Sequence, residues 1–196
     1  MDAMGNLYGT TAEGGGSSGC FNYYGCGTVF KLAPDGTEIV LHAFAGGNDG
    51  DYPSAGLIMG LTGSLYGTTG NGGGNGCEGG YGCGTVFKIA PDGTETVLYA
   101  FTSGTDGAYP DGRLTMDKRG NLYGTTLEGG VCGLRYGCGT VFKLAPDGTK
   151  TVLGDLARHV GKFPAAGPIR DSVGNLYGTA EKGGAYGNGT VFELKK

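Results

Sequence analysis

The chain has 196 residues, 46 of them Gly, with 16% charged and 38% hydrophobic. That composition is too apolar for a disordered chain and too regular for generic low complexity, so it specifies a fold whose β-ladder bonds and Val/Phe/Leu/Tyr core offset the entropy of ordering so much glycine. A net charge of −4 and a pI near 5.1 give no electrostatic reason to expect nucleic acid, no apolar run approaches membrane-spanning length, and the Met1-Asp2-Ala3-Met4 start lacks the basic and apolar regions of a secretion signal.

The phrase Asn6-Leu7-Tyr8-Gly9-Thr10-Thr11 returns at 64–69, 121–126 and 175–180, each copy followed by a Gly-rich stretch and Gly-Thr-Val-Phe. A unit recurring at about fifty-five residues is a supersecondary module that buries its apolar face only against neighbouring copies. The third copy shows all its parts: Leu114-Thr115-Met116, a turn at 117–120, a second piece at 121–126, a glycine loop, Gly139 to Leu144, the Pro146-Asp147-Gly148 turn, then Thr149 to Leu153. Short β-rich runs separated by Asp-Gly and Gly-Asn turns read as antiparallel strands.

The expected fold class is therefore all-β and β-propeller-like: one repeat domain of four four-stranded meanders, spanning approximately 1–55, 56–112, 113–166 and 167–196. Met1-Asp2 aligns with Met116-Asp117 and Phe192-Glu193-Leu194 with Phe142-Lys143-Leu144, so the first and last repeats are incomplete. An incomplete closing blade, a segment of a longer array, and a homodimer completing the open strand edges are the alternatives. An open stack of hairpins is the competing architecture.

In such a meander the loop after the second strand and the link to the next repeat emerge at one pole. The long segments 12–25, 70–82 and 127–137 and the links around 46–55 and 103–112 should crowd that pole, with the Pro-Asp-Gly turns at the other. Loops on a rigid scaffold are where ligand sites concentrate.

The six cysteines form three pairs inside these loops, Cys20/Cys26, Cys77/Cys83 and Cys132/Cys138, each with five residues between its members, and the fourth repeat lacks both. Three local disulfides in an oxidising compartment are the favoured reading. Metal ligation is the alternative; the spacing is not that of a zinc knuckle, and the only histidines, His42 and His159, are far off in sequence.

The residues Gly-Asn-Leu-Tyr-Gly-Thr-Thr, Tyr-Gly-Cys-Gly-Thr-Val-Phe-Lys-Leu, Ala-Pro-Asp-Gly-Thr-Glu-Thr-Val-Leu and Asp-Gly-Ala-Tyr-Pro resemble the GloVer-type tandem repeat of bacterial surface and secreted proteins, over nearly the whole chain. The resemblance implies an extracellular or anchored protein with propeller-like repeats, and it carries no catalytic residues.

Positions that recur in every copy, such as Tyr8, Tyr66, Tyr123 and Tyr177 or Phe30, Phe87, Phe142 and Phe192, are explained by packing between repeats. Positions that differ are the functional candidates. Glu13, Asn71, Glu128 and Lys182 are equivalent yet differ in charge; the cysteine loops add Phe21, Asn22, Tyr23, Glu78, Leu134 and Arg135; the links add Asp49, Asp51, Tyr52, Asp106, Tyr109, Arg158 and His159.

Aromatic faces with carboxylates and a cation can stack on and hydrogen-bond to sugars, and this assigns Tyr23, Asp51, Tyr52, Glu78, Tyr109, Arg135, His159 and Lys182 to ligand binding; solvated loop charge is the bland alternative. For catalysis the nearest class is glycoside hydrolysis by paired carboxylates, with Glu13, Glu128, Asp49 and Asp106 as candidates. No Gly-x-Ser-x-Gly elbow is present, and no cofactor or metal is expected, the acidic stretch at 46–51 reading as a turn rather than a calcium loop. The expected function is a module binding a carbohydrate or cell-surface ligand, with a polysaccharide hydrolase and a structural spacer as alternatives.

Overall fold

The computed structural model describes residues 1–20, 24–74, 76–133, 136–156 and 161–196. Its strands are β1 (Leu7–Thr11), β2 (Thr28–Leu32), β3 (Glu38–Ala43), β4 (Ile58–Met59), β5 (Leu65–Thr69), β6 (Thr85–Ile89), β7 (Glu95–Ala100), β8 (Thr115–Met116), β9 (Leu122–Thr126), β10 (Thr140–Leu144), β11 (Lys150–Asp155), β12 (Ile169–Arg170), β13 (Leu176–Ala180) and β14 (Thr190–Leu194). They form four antiparallel meanders ordered β1-β2-β3, β4-β5-β6-β7, β8-β9-β10-β11 and β12-β13-β14. The fold is all-β and propeller-like. The first sheet lacks an inner strand and the last an outer one, as the truncated phrases at the two ends lead one to expect.

The two recurrent phrases interlock. Gly9, Gly67, Gly124 and Gly178 stand directly opposite Phe30, Phe87, Phe142 and Phe192 in the ladder. A methyl group built at Gly124 would lie 2.5 Å from Phe142 Cζ and 2.9 Å from Leu114 Cδ2. The glycine is required because the phenyl ring lies across it, a cross-strand contact that the bare backbone permits.

Neighbouring side chains on a strand point to opposite faces, so the Val-Phe pair gives each sheet two apolar faces. Val29 shares a buried cluster with Phe87, Val86 with Phe142, and Val141 with Phe192. Three apolar seams thus join consecutive sheets, closed by edge-on ring contacts of Phe44 with Phe87 at 5.1 Å and Phe101 with Phe142 at 5.2 Å. Among the described residues no such cluster joins the fourth sheet to the first.

A register shift between Val and Phe in β2, β6 and β10 inserts one extra residue in the partner strand, Leu41, Leu98 or Leu153. Each of these leucines packs against the seam, so the bulge re-aims an outer-strand side chain into the core. Alternation alone did not anticipate it.

The first Thr of the phrase ties a sheet to the next link: Thr10 and Thr125 hydroxyls donate to the carbonyls of Ala55 and Ala166, both at 3.0 Å. The second, Thr69 or Thr126, donates to the carbonyl of Asn71 or Glu128 and meets the hydroxyl of Thr85 or Thr140 at 2.8 Å.

Candidate functional site

The long loops and links share a pole because the backbone knits them together. Short bridges pair Asp51 with Asn71, Ala108 with Glu128, and Lys162 with Lys182, joining each link to the loop of the next repeat. At the opposite pole Gly5, Gly63 and Gly120 of one turn lie against Pro34, Pro91 and Pro146 of another. Disulfides Cys20–Cys26, Cys77–Cys83 and Cys132–Cys138 staple the loops, with Cα separations of 5.0, 5.1 and 6.0 Å. A cross-link reduces the freedom that a glycine-rich loop has in the unfolded chain. Three disulfides in a domain of this size fit an extracellular location.

Each link carries one aromatic residue on a left-handed backbone: Tyr52 at φ 63°, Tyr109 at 59° and Phe163 at 59°. Such a conformation costs a non-glycine residue on the order of 1 kcal/mol and persists where its surroundings over-determine it. The same contacts hold all three. Their N–H groups donate to the carbonyls of Cys26, Cys83 and Cys138 at 3.0, 2.8 and 2.9 Å, and their own carbonyls accept from Gly70, Leu127 and Glu181. The proline that follows each of them packs on the glycine after the cysteine; at Gly84, with φ +94°, a methyl group would meet Pro110 Cδ at 2.4 Å. Tyr52 stays exposed and Tyr109 and Phe163 are half-buried. The Lys182 ammonium lies 5.9 Å from the centre of the Phe163 ring.

The link between the second and third sheets departs from its counterparts at two positions that sequence reasoning passed over. Asp111 stands where the others have Ser54 and Ala165, and Arg113 where they have Gly56 and Gly167. Burial pushes the Asp111 carboxyl above its ordinary pKa, opposed by the Ser54 hydroxyl, which donates to it at 3.3 Å. Arg113 donates from Nε to the Leu57 carbonyl at 3.3 Å and borders a cavity of about 350 Å³ walled by the inner strands, including Ile58, Leu114 and Ile169. Comparing the links residue by residue, rather than the long loops alone, would have revealed both.

Glu13 is exposed, and its carbonyl accepts from Thr11 at 2.7 Å; Glu128, half-buried, takes the corresponding bond from Thr126. Asp49 and Asp106 occupy equivalent places and spend their carboxylates inside the links. Asp49 accepts from the Ala45 N–H at 2.6 Å and pairs with His42 Nε2 at 3.1 Å. Asp106 accepts from the Tyr99 hydroxyl at 2.7 Å, the Thr102 N–H at 2.8 Å and the Lys150 ammonium at 2.6 Å. Asp51 is buried in its bridge, with a carboxylate oxygen within 4.8 Å of the Cys20 and Cys26 sulfurs; those sulfurs are spent in a disulfide and offer a metal no thiolate. The backbone of Glu78 forms a short 3-10 turn to Gly80. Tyr23, Arg135 and His159, with Phe21, Asn22, Leu134 and Arg158, lie outside the described residues.

The links also place charge on the seams. Lys150 of the third sheet reaches Asp106 of the second, whereas Glu95, in the same place on the second sheet, faces Asp49 and His42 of the first. Burial first, then the Asp49 charge, pushes the Glu95 carboxyl up to about 7 from 4.5, and one of its oxygens is buried without a hydrogen-bond partner among the described residues. The bond to Asp49 raises His42 above 6.5.

Glu95 and His42 both hold their protons more tightly folded than unfolded, so stability present at pH 4.5 is lost as the pH rises through 7. Asp49, lowered by its bonds against desolvation, acts at the acid end only. Urea unfolding between pH 5 and 8 should show a decline on the order of 1 kcal/mol after allowance for solvent screening. Glu95→Gln should flatten it. An unchanged slope in that variant would refute the assignment.

No curated protein matches this sequence. Among solved structures, a luciferin-regenerating enzyme superposes over 100% of this chain and 59% of its own, with a TM-score of 0.53 at 16% identity. A gluconolactonase from Xanthomonas campestris matches over 84% and 64%, with a TM-score of 0.47 at 16% identity. The chain thus spans about three fifths of the length of these structures, and at such identities the first likeness supports the fold alone. The family model described as the Gloeobacter/Verrucomicrobia repeat matches residues 1–196, and the chain belongs to that repeat family.

Proposed function

We propose that the protein is an extracellular or cell-surface propeller module that binds carbohydrate at the long-loop pole. The observation that carries this reading is the set of Tyr52, Tyr109 and Phe163, held in one unusual backbone conformation by the same bonds in three successive links. Flat aromatic faces accept the apolar face of a sugar ring, while Asp111, Ser54 and Lys182 supply hydrogen bonds and charge beside them. Glu13 and Glu128 belong to the same proposed surface, to which the sequence also assigns Tyr23, Glu78, Arg135 and His159; Asp51, buried in its bridge, offers it no contact. A preformed site of this kind binds with little ordering cost.

A glycan array probed with the wild-type protein should return a restricted set of bound sugars. Tyr52→Ala and Tyr109→Ala should each weaken binding roughly tenfold, and Asp111→Asn should change the preference among sugars. Binding that survives both tyrosine substitutions would remove the aromatic surface from consideration. Release of reducing ends, lost in Glu13→Ala or Glu128→Ala, would replace the binding module with a hydrolase, and silence towards every glycan would leave a spacer.

We further infer that two copies associate. Val191 is 73% exposed where Val29, Val86 and Val141 are 0%, and Leu7 is 49% exposed where Leu65, Leu122 and Leu176 are 4, 2 and 3%. The uncovered face of the last sheet and that of the first are the two halves of a seam already made three times within the chain, so a second copy offers each its complement in head-to-tail fashion. Light scattering should return more than the mass of one 19.8 kDa chain, reverting to one chain in Val191→Lys. A single-chain mass for the wild type at all concentrations would overturn the association.

A further inference from the structure

The short-turn pole breaks its own pattern once. In the first, third and fourth repeats an Asp holds the turn between the first two strands of the meander. Asp117 accepts from Asn121 Nδ2 at 2.8 Å, the Tyr123 hydroxyl at 3.0 Å and the N–H groups of Arg119 and Asn121. Asp2 and Asp171 make the corresponding bonds to Asn6 and Tyr8 and to Asn175 and Tyr177. In the second repeat Gly60 and Ser64 stand in place of the Asp and the Asn.

The turn itself survives, since the Gly60 N–H reaches the Ser64 carbonyl at 2.9 Å and the Gly63 N–H the Gly60 carbonyl at 3.1 Å. Only the side chains are gone. The space beside them is a cleft of about 700 Å³ between the turns of the second and third sheets.

Its walls are Met59, Leu61, Tyr66 and Met116, with Lys118 and Arg119 along one side. Leu61 is fully exposed, and among the described residues no carboxylate takes the place at Tyr66 that Asp2, Asp117 and Asp171 take at the other three tyrosines. The Asp117 carboxylate beside the cleft is satisfied by its own turn, and those bonds hold it at about 2 against the desolvation that pushes it up. Asp117 thus stays ionised, and the lysine and the arginine together outweigh it, leaving the cleft wall with a net positive charge to meet a ligand. The volume matches that of small-molecule sites, which are mostly apolar with a few polar groups.

We propose that this cleft binds a small amphipathic anion, with an aromatic or alkyl body against Tyr66 and the methionines and a carboxylate, sulfonate or phosphate at Lys118 and Arg119. The site is at the pole opposite the carbohydrate surface and is independent of it.

The sequence supplies its own control, because Gly60→Asp with Ser64→Asn rebuilds the turn of the other repeats. Gly60 has an ordinary backbone, and a methyl group there would lie 3.0 Å from the Tyr66 ring and 3.7 Å from Met116 Cε and the Ser64 carbonyl. In a fluorescence titration of the intact protein, the aromatic sulfonate 8-anilino-1-naphthalenesulfonate should bind saturably at one site. The rebuilt double variant should lose at least tenfold in affinity while unfolding at a higher temperature. Lys118→Glu with Arg119→Glu, in an exposed turn, should lose at least fivefold, and high salt should erase that difference. Dye binding that is unchanged in the folded rebuilt variant would show the dye on the uncovered end faces and overturn the proposal, as would indifference to the charge reversal.

Discussion

The structure depends on the fact that Val and Phe are adjacent in Gly-Thr-Val-Phe. Neighbouring residues on a strand face opposite ways, so one strand supplies both the valine for the sheet ahead and the phenylalanine for the sheet behind. No sheet can bury both faces alone, and a stack of them follows. The ring of each Phe lies over the strand glycine of its own sheet, and in the second, third and fourth sheets the preceding sheet covers it, which explains why the two phrases recur together. Burying a Phe contributes about 1.5–3 kcal/mol, a large share of the 5–15 kcal/mol by which domains are ordinarily stable. The same logic leaves the outer faces of the first and last sheets uncovered.

With the core set by these seams, the two poles are released for other uses. At the long-loop pole, glycine-rich loops are ordered by disulfides and by bridges to the links, and this rigidity holds three aromatic residues in a conformation they would otherwise avoid. At the short-turn pole the Asp-Asn-Tyr bonds leave little variation, and the one repeat that omits them opens a cleft. Both sites arise where a copy of the repeat departs from its siblings. The seams tolerate such departures too: Lys150 makes an ion pair where Glu95 faces a carboxylate, so the three seams differ in their response to pH.

Much of this was legible in the sequence. The strands at 122–126 and 140–144 begin within a residue of where the phrases put them, the missing end strands follow from truncated copies, and the cysteine pairs close as their joint absence from the fourth repeat suggested. These features are local or repeat with a fixed period. What the sequence did not reveal depends on contacts between copies. The bulge that turns Leu98 inward is invisible to alternation, and the glycine of Leu-Tyr-Gly-Thr reads as a weak strand former until the opposing ring is seen. Asp49 and Asp106 look like loop acids because their partners His42 and Tyr99 lie in the preceding strand and Lys150 in the next sheet. Asp111, Arg113 and Gly60 were visible as departures, but in short segments that resemble ordinary turns.

A phenyl ring pressed onto a strand glycine, and covered by the preceding sheet, holds the stack together. Urea unfolding of Gly124→Ala beside Gly9→Ala tests it most directly. Phe142 is fully buried, whereas Phe30 is half-buried on the uncovered face and can swing away. Gly124→Ala should therefore cost about 3 kcal/mol and Gly9→Ala less than about 1 kcal/mol. Equal losses at the two positions would show that the covering sheet does not hold the ring in place, and would contradict the account.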